Sequence, residues 1–449
     1  MKAISKKQWI KFAIATLLYL LWVYWLSNPW LVIGELLIVD IYLTEFIPFG
    51  FWKKSKNAMF KKVMEWVDAI VFALVAVYFI NTFFFQNYQI PTSSLEKTLL
   101  VGDYLFVSKL SYGPRVPNTP LSFPLAQHTL PVLNCKSYID YPQWEYKRVK
   151  GLGTVKRNDI VVFNFPAGDT VALGYQNTDY YTLCKAYGER KVKTDRANFG
   201  EIVYRPVDRR ENYVKRCVGL PGDSLQIING EIYINGKLQE APKHVQFNYY
   251  VETNGKHLSD DDFRALGVSV EDREQVANVP YPVYRMPLTR TAVEKLRSFS
   301  YIKRVMLESS SSTDFVYPLN AETGWTCDNY GPIWLPRRGA TIPLSLANLP
   351  IYERVIRNYE RNSLEVRDSS IFINGSKAET YTFKMDYYWM MGDNRHNSAD
   401  SRSWGFVPED HIVGKPIMVW LSLDKDRNWF GGKIRFKRLF HFVDYLSEN

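Results

Sequence analysis

Three apolar runs open the chain, and after about residue 88 the pattern changes to short segments with alternating character. The first run, from Trp9 to Leu26, carries only Lys11 as a charge. At 1.5 Å per residue it is long enough for a ~30 Å hydrocarbon core. Ser27, Asn28 and Pro29 break it. The second, from Trp30 to Gly50, contains Glu35, Asp40 and Glu45. Carboxylates inside a bilayer are costly, so it reads either as a full span or as a tilted, protein-buried or interfacial helix. The third, from Trp66 to Phe85, has Asp68 near its start and Asn81 and Thr82 near its end. Spans are therefore expected at about 9–26, 30–49 and 66–86. Beyond them, Val155–Phe165, Tyr213–Gly219, Ser224–Asn235 and Val413–Ser422 are rich in β-branched and aromatic residues and predict strands. Asn-Gly pairs at 229–230 and 235–236 predict hairpin turns. Helical periodicity is confined to Ser259–Leu266, with Ser259 as N-cap, and Thr291–Ser298. The prediction is a mainly β domain carrying insertions, behind two or three transmembrane helices.

One stretch has an internal echo. DSLQIINGEIYINGKLQE (223–240) resembles NSLEVRDSSIFINGSKAET (362–380) in order and turn placement. Either these are two unrelated hairpins, or one hairpin is interrupted by, or repeated around, an insertion of about 120 residues. The expected organisation is a membrane anchor over 1–87 with a basic loop at 51–62, and a first part of the core over 88–239. An accessory α+β insertion over 240–360, a second part of the core over 361–428 and a tail over 429–449 follow. That tail mixes four basic residues with Trp429, Phe430, Phe436, Leu439, Phe440 and Phe442. It reads equally as an interfacial amphipathic segment or as a packed terminal element.

Composition narrows the class. Of 449 residues, 46% are hydrophobic and 23% charged, which excludes wholesale disorder. A mean hydropathy of -0.23 limits any membrane part to a minority of the chain. The formal net charge of +10 suggests nucleic acid or an anionic surface until it is located. Nine Lys, among them Lys2, Lys6, Lys7 and Lys11, face three acids in residues 1–64, whereas 65–428 hold 43 basic and 41 acidic residues. No nucleic-acid footprint remains. The excess sits where the positive-inside rule needs it, with the basic start and the 51–62 loop in the cytoplasm and everything after about residue 87 outside. A cleaved signal peptide would also begin with basic residues, but no small-x-small pattern follows the first run. Four Cys exclude a disulfide-framed mini-domain. In an exported domain Cys135, Cys184 and Cys327 leave room for one disulfide, while Cys217 reads as a small buried residue.

No metal or phosphate motif is present: there is no HExxH, paired CxxC or Walker loop, and GxSxG is also missing. No metal or cofactor is therefore expected. What remains is four dense blocks. IPTSSLEKTLLVGDYLFVSKLSYG (90–113) sets Thr92, Ser93 and Ser94 between apolar flanks just beyond the third run. RNDIVVFNFP (157–166) is a plain strand. YVKRCVGLPGDSLQI (213–227) places Lys215 in an apolar strand ending at a Pro-Gly turn. YYWMMGDNRHNSADSRSWGFVPE (387–409) gathers Asp393, Arg395, Asp400 and Arg402 among small polar residues. Taken singly, a Ser-rich turn is ordinarily a cap and a strand lysine is ordinarily solvated.

In this order, behind membrane helices, the blocks resemble type I signal peptidase, the membrane-anchored Ser–Lys endopeptidase that removes signal peptides. The resemblance covers about a fifth of the chain. It implies a signal-peptidase-like β-barrel or sheet core with Ser94 as nucleophile and Lys215 as general base. A Ser hydroxyl needs a base near neutral pH, and burial can bring a Lys amine down to that role. The resemblance further implies an oxyanion hole from the Thr92 hydroxyl and the Ser94 N–H, and Ser398 as the residue that orients the lysine. Arg216 with Asp393, and Asp400 with Arg402, would be structural pairs near the site. The implied partners are exported preproteins and the lipid bilayer, and the implied location is the plasma (inner) membrane, multi-pass, with the catalytic domain extracytoplasmic. The family's first block usually reads Ser-Gly-Ser-Met-x-Pro-Thr-Leu. Here Ser93 and Lys97 replace its Gly and Pro, residues with special backbone preferences, so the resemblance does not fix the detailed loop geometry, though it keeps the nucleophile.

Overall fold

A computed structural model describes residues 4–313 and 315–448. Lys2 of the basic start, Asp314 within the insertion and Asn449 of the tail lie outside them. Helix α1 (Lys6–Leu26) starts from a capping box between Ser5 and Gln8 and stops at Ser27, which takes a left-handed conformation at φ 49°. Helix α2 (Ala58–Phe83) is capped by the Asn57 side chain, which accepts from the N–H groups of Met59 and Phe60. Both helices are long and apolar enough to cross a membrane. Apart from their docked ends, most of their apolar side chains point outward: Leu18 is 62% and Phe72 75% exposed. Helices of that kind need a lipid environment.

The second apolar run does not form an uninterrupted helix of spanning length. It folds as a 3₁₀ turn (Pro29–Gly34), an α turn (Glu35–Val39) and a π turn (Asp40–Thr44). This broken segment runs back along α1, where the Tyr19 hydroxyl donates to the Leu31 carbonyl and Thr16 Oγ1 donates to Glu35 Oε1, each at 2.5 Å. The carboxylates explain the break. Asp40 draws in Thr44 Oγ1 and the N–H groups of Phe46 and Ile47, which closes the helix on itself.

The soluble part is built on a curled half-barrel of eight strands. These are β1 (Phe85–Gln89), β2 (Asp103–Ser108), β3 (Ile160–Asn164), β4 (Asn212–Gly219), β5 (Tyr387–Met391), β6 (Val407–Pro408), β7 (Ile412–Ser422) and β8 (His441–Phe442). The spatial order is β1-β2-β7-β3-β4-β5-β6, with β8 paired to β7, and the pairings are antiparallel. Fully buried Leu105, Val107 and Val419 pack in one core and Val161 and Phe163 in another, so the middle of the sheet is covered on both faces. β1 follows α2 directly, so the sheet begins where the membrane helix ends.

The two echoing stretches fold alike. Each is a three-strand meander, Ser224–Ile228 with Glu231–Ile234 and Lys237–Leu238, then Leu364–Arg367 with Ser370–Ile373 and Ser376–Lys377. Asn229 and Gly230 both take positive φ, 50° and 82°, as a type I′ turn requires. The meanders belong to different sheets but share one core, through Leu225 and Ile227 in the first and Leu364 and Ile371 in the second. Within 240–360, residues 246–308 form a four-stranded sheet with helices Asp260–Leu266 and Arg290–Arg297 around their own core of Val251, Phe263, Met286 and Leu296. Val316 through Tyr359 pack instead with the meanders.

The whole is mixed α/β rather than mainly β, because the two long helices are joined by three short ones between Tyr180 and Phe199. Asp179 nucleates the first of these by accepting from the N–H groups of Tyr181 and Thr182. All four cysteines are free, so no disulfide joins Cys135, Cys184 or Cys327; they lie on separate elements, and Cys217 is buried. The tail packs: β8 extends the sheet, Val443 is buried, and Arg438 pairs with buried Asp103 at 2.6 Å. Trp429 and Phe430 stand exposed.

Candidate active site

A short 3₁₀ turn, Ser93–Leu95, lies between β1 and β2 and carries Ser94. Leu95 and Leu99 anchor it from below, at 1% and 0% exposure. Lys215 sits in the middle of β4 opposite Val161 of β3, a position fixed by an unbroken antiparallel register. The two side chains meet: Lys215 Nζ donates to Ser94 Oγ at 2.5 Å, and both residues are buried. Burial drives the Lys215 amine down to about 8, a shift that the carboxylates of Asp400 and Asp393 partly oppose. A neutral fraction thus exists near neutral pH, which an exposed lysine lacks.

The turn is held from the far end of the sequence. The Asn394 N–H donates to the Ser94 carbonyl at 3.1 Å, and Asn394 Nδ2 donates to the Ser93 carbonyl at 3.4 Å. Next to it, Asp393 accepts Nε and a terminal nitrogen of Arg216 at 2.7 Å each, and Thr98 Oγ1 at 2.9 Å. Burial alone would raise the Asp393 carboxyl, but the Arg216 charge and these hydrogen bonds hold it below the usual carboxylate range. Asp400 is held low in the same way, by Arg402 at 2.9 and 2.7 Å and by the Gly392 N–H. Arg402 in turn donates to the Arg395 carbonyl at 2.6 Å. Arg216 with Asp393 and Arg402 with Asp400 thus form two buried ion pairs, one at each end of the loop 392–402.

Other predicted residues sit apart from the Ser94–Lys215 contact. Thr92 is extended (φ −129°, ψ 156°) and exposed at the start of the turn, with no side-chain cap bond. Ser398 is not hydrogen-bonded to Lys215; its hydroxyl donates to the Ala399 carbonyl at 3.4 Å and lies over Gly392. Lys97 takes φ 76°, a conformation closed to proline, so the loop departs from the pattern with Pro there.

Gly392 and Asn394 lie against the Ser94 turn and were passed over in the sequence, although both are in the fourth block. A Cβ on Gly392 would stand 2.3 Å from Ser398 Oγ and 2.6 Å from the Ser94 carbonyl oxygen. The second neighbour is backbone and cannot swing away. Gly392→Ala is expected to displace the Ser94 turn and lower kcat by about 10²-fold, the scale of a ~1 Å misplacement. Steady-state cleavage assays on the variant check this; a kcat within about twofold of wild type would show that the turn tolerates the shift.

Comparison with known proteins gives this geometry its context. The model of the family "Signal peptidase, peptidase S26" matches residues 63–281 and 344–421. The chain belongs to the signal peptidase family. Membership makes it an enzyme, a serine endopeptidase with a role in cleaving signal peptides. Similar proteins include signal peptidase I of Buchnera aphidicola subsp. Baizongia pistaciae, 23% identical over 403 residues and covering 88% of each chain. Signal peptidase I of Haemophilus influenzae is 24% identical, over 86% of this chain and 78% of its own. Signal peptidase I P of Bacillus subtilis subsp. natto is 25% identical over 206 residues, 46% of this chain and 64% of its own. As a signal peptidase the chain has an unmatched stretch, 282–343, that takes in much of the four-stranded lobe and the start of the packed segment after it. Every predicted site residue falls inside the matched stretches.

Proposed function

We propose that the chain cleaves signal peptides from exported preproteins with Ser94 and Lys215 as a catalytic dyad. The observation that carries this is the buried 2.5 Å contact between Lys215 Nζ and Ser94 Oγ. In the proposed reaction the neutral Lys215 amine takes the Ser94 proton as Oγ attacks the scissile carbonyl. The oxyanion accepts hydrogen bonds from the Ser94 N–H and the Thr92 hydroxyl, neither of which has a hydrogen-bond partner among the described residues. Lys215 then gives its proton to the leaving amine and activates the water that releases the acyl-enzyme. Ser398 serves to orient the amine: its long 3.4 Å bond leaves the hydroxyl free to turn toward Lys215. Small side chains before the cut are the family's preference and are proposed here with it.

The proposed setting is the plasma (inner) membrane, with the chain multi-pass and the catalytic domain outside. Lys53, Lys54, Lys56 and Lys61 just before and at the start of α2, and Lys6 and Lys7 at the start of α1, would mark the cytoplasmic side. The broken segment 29–44 then returns the chain alongside α1. The outer ends of both long helices dock on the soluble part, where Trp25 Nε1 donates to the Lys150 carbonyl and Leu26, Phe83 and Val149 form one cluster. Ser94 lies eleven residues past the end of α2, so the site meets a substrate still held in the bilayer.

Incubation of a model preprotein with the detergent-solubilised full chain tests this reading. Cleavage by wild type and none by Ser94→Ala is expected; binding without cleavage by wild type, or near-normal cleavage by Ser94→Ala, would overturn it. Thr92→Val, which keeps shape and loses the donor, is expected to lower kcat by about 10²–10³-fold with KM little changed.

A further inference from the structure

Asn81 and Thr82, the polar residues near the end of the third apolar run, line a cavity of about 600 Å³ where α2 leaves the membrane. Tyr78 lines it too and donates to the Pro120 carbonyl at 2.7 Å, tying the helix to the wall of the soluble part. Three cations face this space, Lys109, Arg115 and Arg209, against one acid, Asp208. Arg209 is committed to Thr119 Oγ1 at 2.6 Å and Ser122 Oγ at 2.7 Å, and Arg115 to Asn164 Oδ1 at 2.8 Å. Asp208 Oδ2 is taken by the Thr119 N–H and hydroxyl, both at 2.9 Å. Lys109 Nζ has no hydrogen-bond or ion-pair partner among the described residues. Burial, with Arg115 and Arg209 nearby, pushes its amine down to about 7. With Lys109 protonated the half-enclosed space holds two surplus positive charges, and an entering anion would offset them and keep the proton on Lys109. The aromatic cluster of Trp22, Trp25 and Phe83 at the same end of the helices sets the level of the lipid headgroups.

We propose that this cavity binds the phosphate of an anionic phospholipid headgroup in the outer leaflet, with Lys109 as its main charge partner. The assignment rests on the membrane topology proposed above and is independent of the dyad. The chemistry recognised, a phosphate oxyanion, is shared with inorganic phosphate, so the test separates the two. The full-length chain is reconstituted into phosphatidylcholine vesicles with or without spin-labelled phosphatidylglycerol, and motionally restricted lipid is measured. Wild type is expected to restrict the labelled lipid, Lys109→Gln to weaken this about tenfold, and Lys109→Arg to retain it. Flotation of the variant with pure phosphatidylcholine vesicles checks the anchor separately, and its cleavage of a preprotein there should match wild type. Equal restriction by Lys109→Gln overturns the proposal. So does displacement of the labelled lipid by millimolar inorganic phosphate. A KM change confined to preproteins with acidic mature starts, in pure phosphatidylcholine, overturns it in favour of substrate carboxylates.

Discussion

Lys215→Met is expected to lose at least ~10⁴-fold in kcat, the scale seen when a nucleophile's base is removed, while folding no less stably than wild type. Both halves follow from one burial. The folded-state pKa of about 8 lies below the ordinary 10.5, so below about pH 8 the folded protein carries a charge that burial disfavours. That handicap is full below pH 8 and fades as pH rises through 8 toward 10.5; at neutral pH it is at most about 3 kcal/mol. Met fills a similar volume without the charge, so its melting temperature at pH 7 should equal or exceed that of wild type. The same value sets the rate profile. Only the neutral amine accepts the Ser94 proton, so kcat/KM should climb about tenfold per pH unit up to 8 and level above it. A flat profile between pH 6 and 9, or Lys215→Met activity within about tenfold of wild type, would remove Lys215 from the chemistry.

The proposed dyad was legible through the resemblance of the blocks that carry its two residues. Ser94 and Lys215 are 121 positions apart, and singly a Ser-rich turn and a strand lysine read as a cap and a solvated side chain; the order of the blocks around them is what pointed to the pair. What escaped reading works through the backbone. Asn394 holds the Ser94 turn chiefly with its own N–H, and Gly392 matters for the side chain it lacks. The lobe reaches the site in the same way: Gln246, in its first strand, donates its N–H to the Asp393 carbonyl and accepts from the Arg395 N–H, on either side of Asn394. Periodicity carries no trace of such contacts. The helices between Tyr180 and Phe199 were missed although Asp260–Leu266 and Arg290–Arg297, which are no longer, were found; they follow one another with almost no loop, and their local signals are the caps Asp179 and Asp195. The pairing of Asp103 with Arg438 closes 335 positions of chain, and only the folded sheet brings the tail back to the first block.

Asp393→Leu is expected to cost about 3–5 kcal/mol of stability, a large share of the ~5–15 kcal/mol that holds a typical domain. The cost arises from what is left behind. Asp393 and Arg216 are 1% and 3% exposed at their side chains, and the variant strands the guanidinium without its counter-charge. It also strips Thr98 of its acceptor, on the strand side of the nucleophile turn. Arg216 keeps only the Asn158 carbonyl at 2.8 Å as a strong partner. Arg216→Met combined with Asp393→Leu removes both charges, and buried pairs replaced by apolar residues often recover stability. The double variant should therefore regain at least half of the lost stability in thermal melts of the detergent-solubilised chain. Activity should not return with it. Thr98 and the 392–394 loop remain without the carboxylate that joins them, so Asn394 no longer fixes the Ser94 carbonyl, and cleavage should stay at least about 10²-fold down. A double variant that melts no higher than Asp393→Leu would mean that the carboxylate acts mainly through Thr98, and one that cleaves normally would mean that the loop is held without the pair.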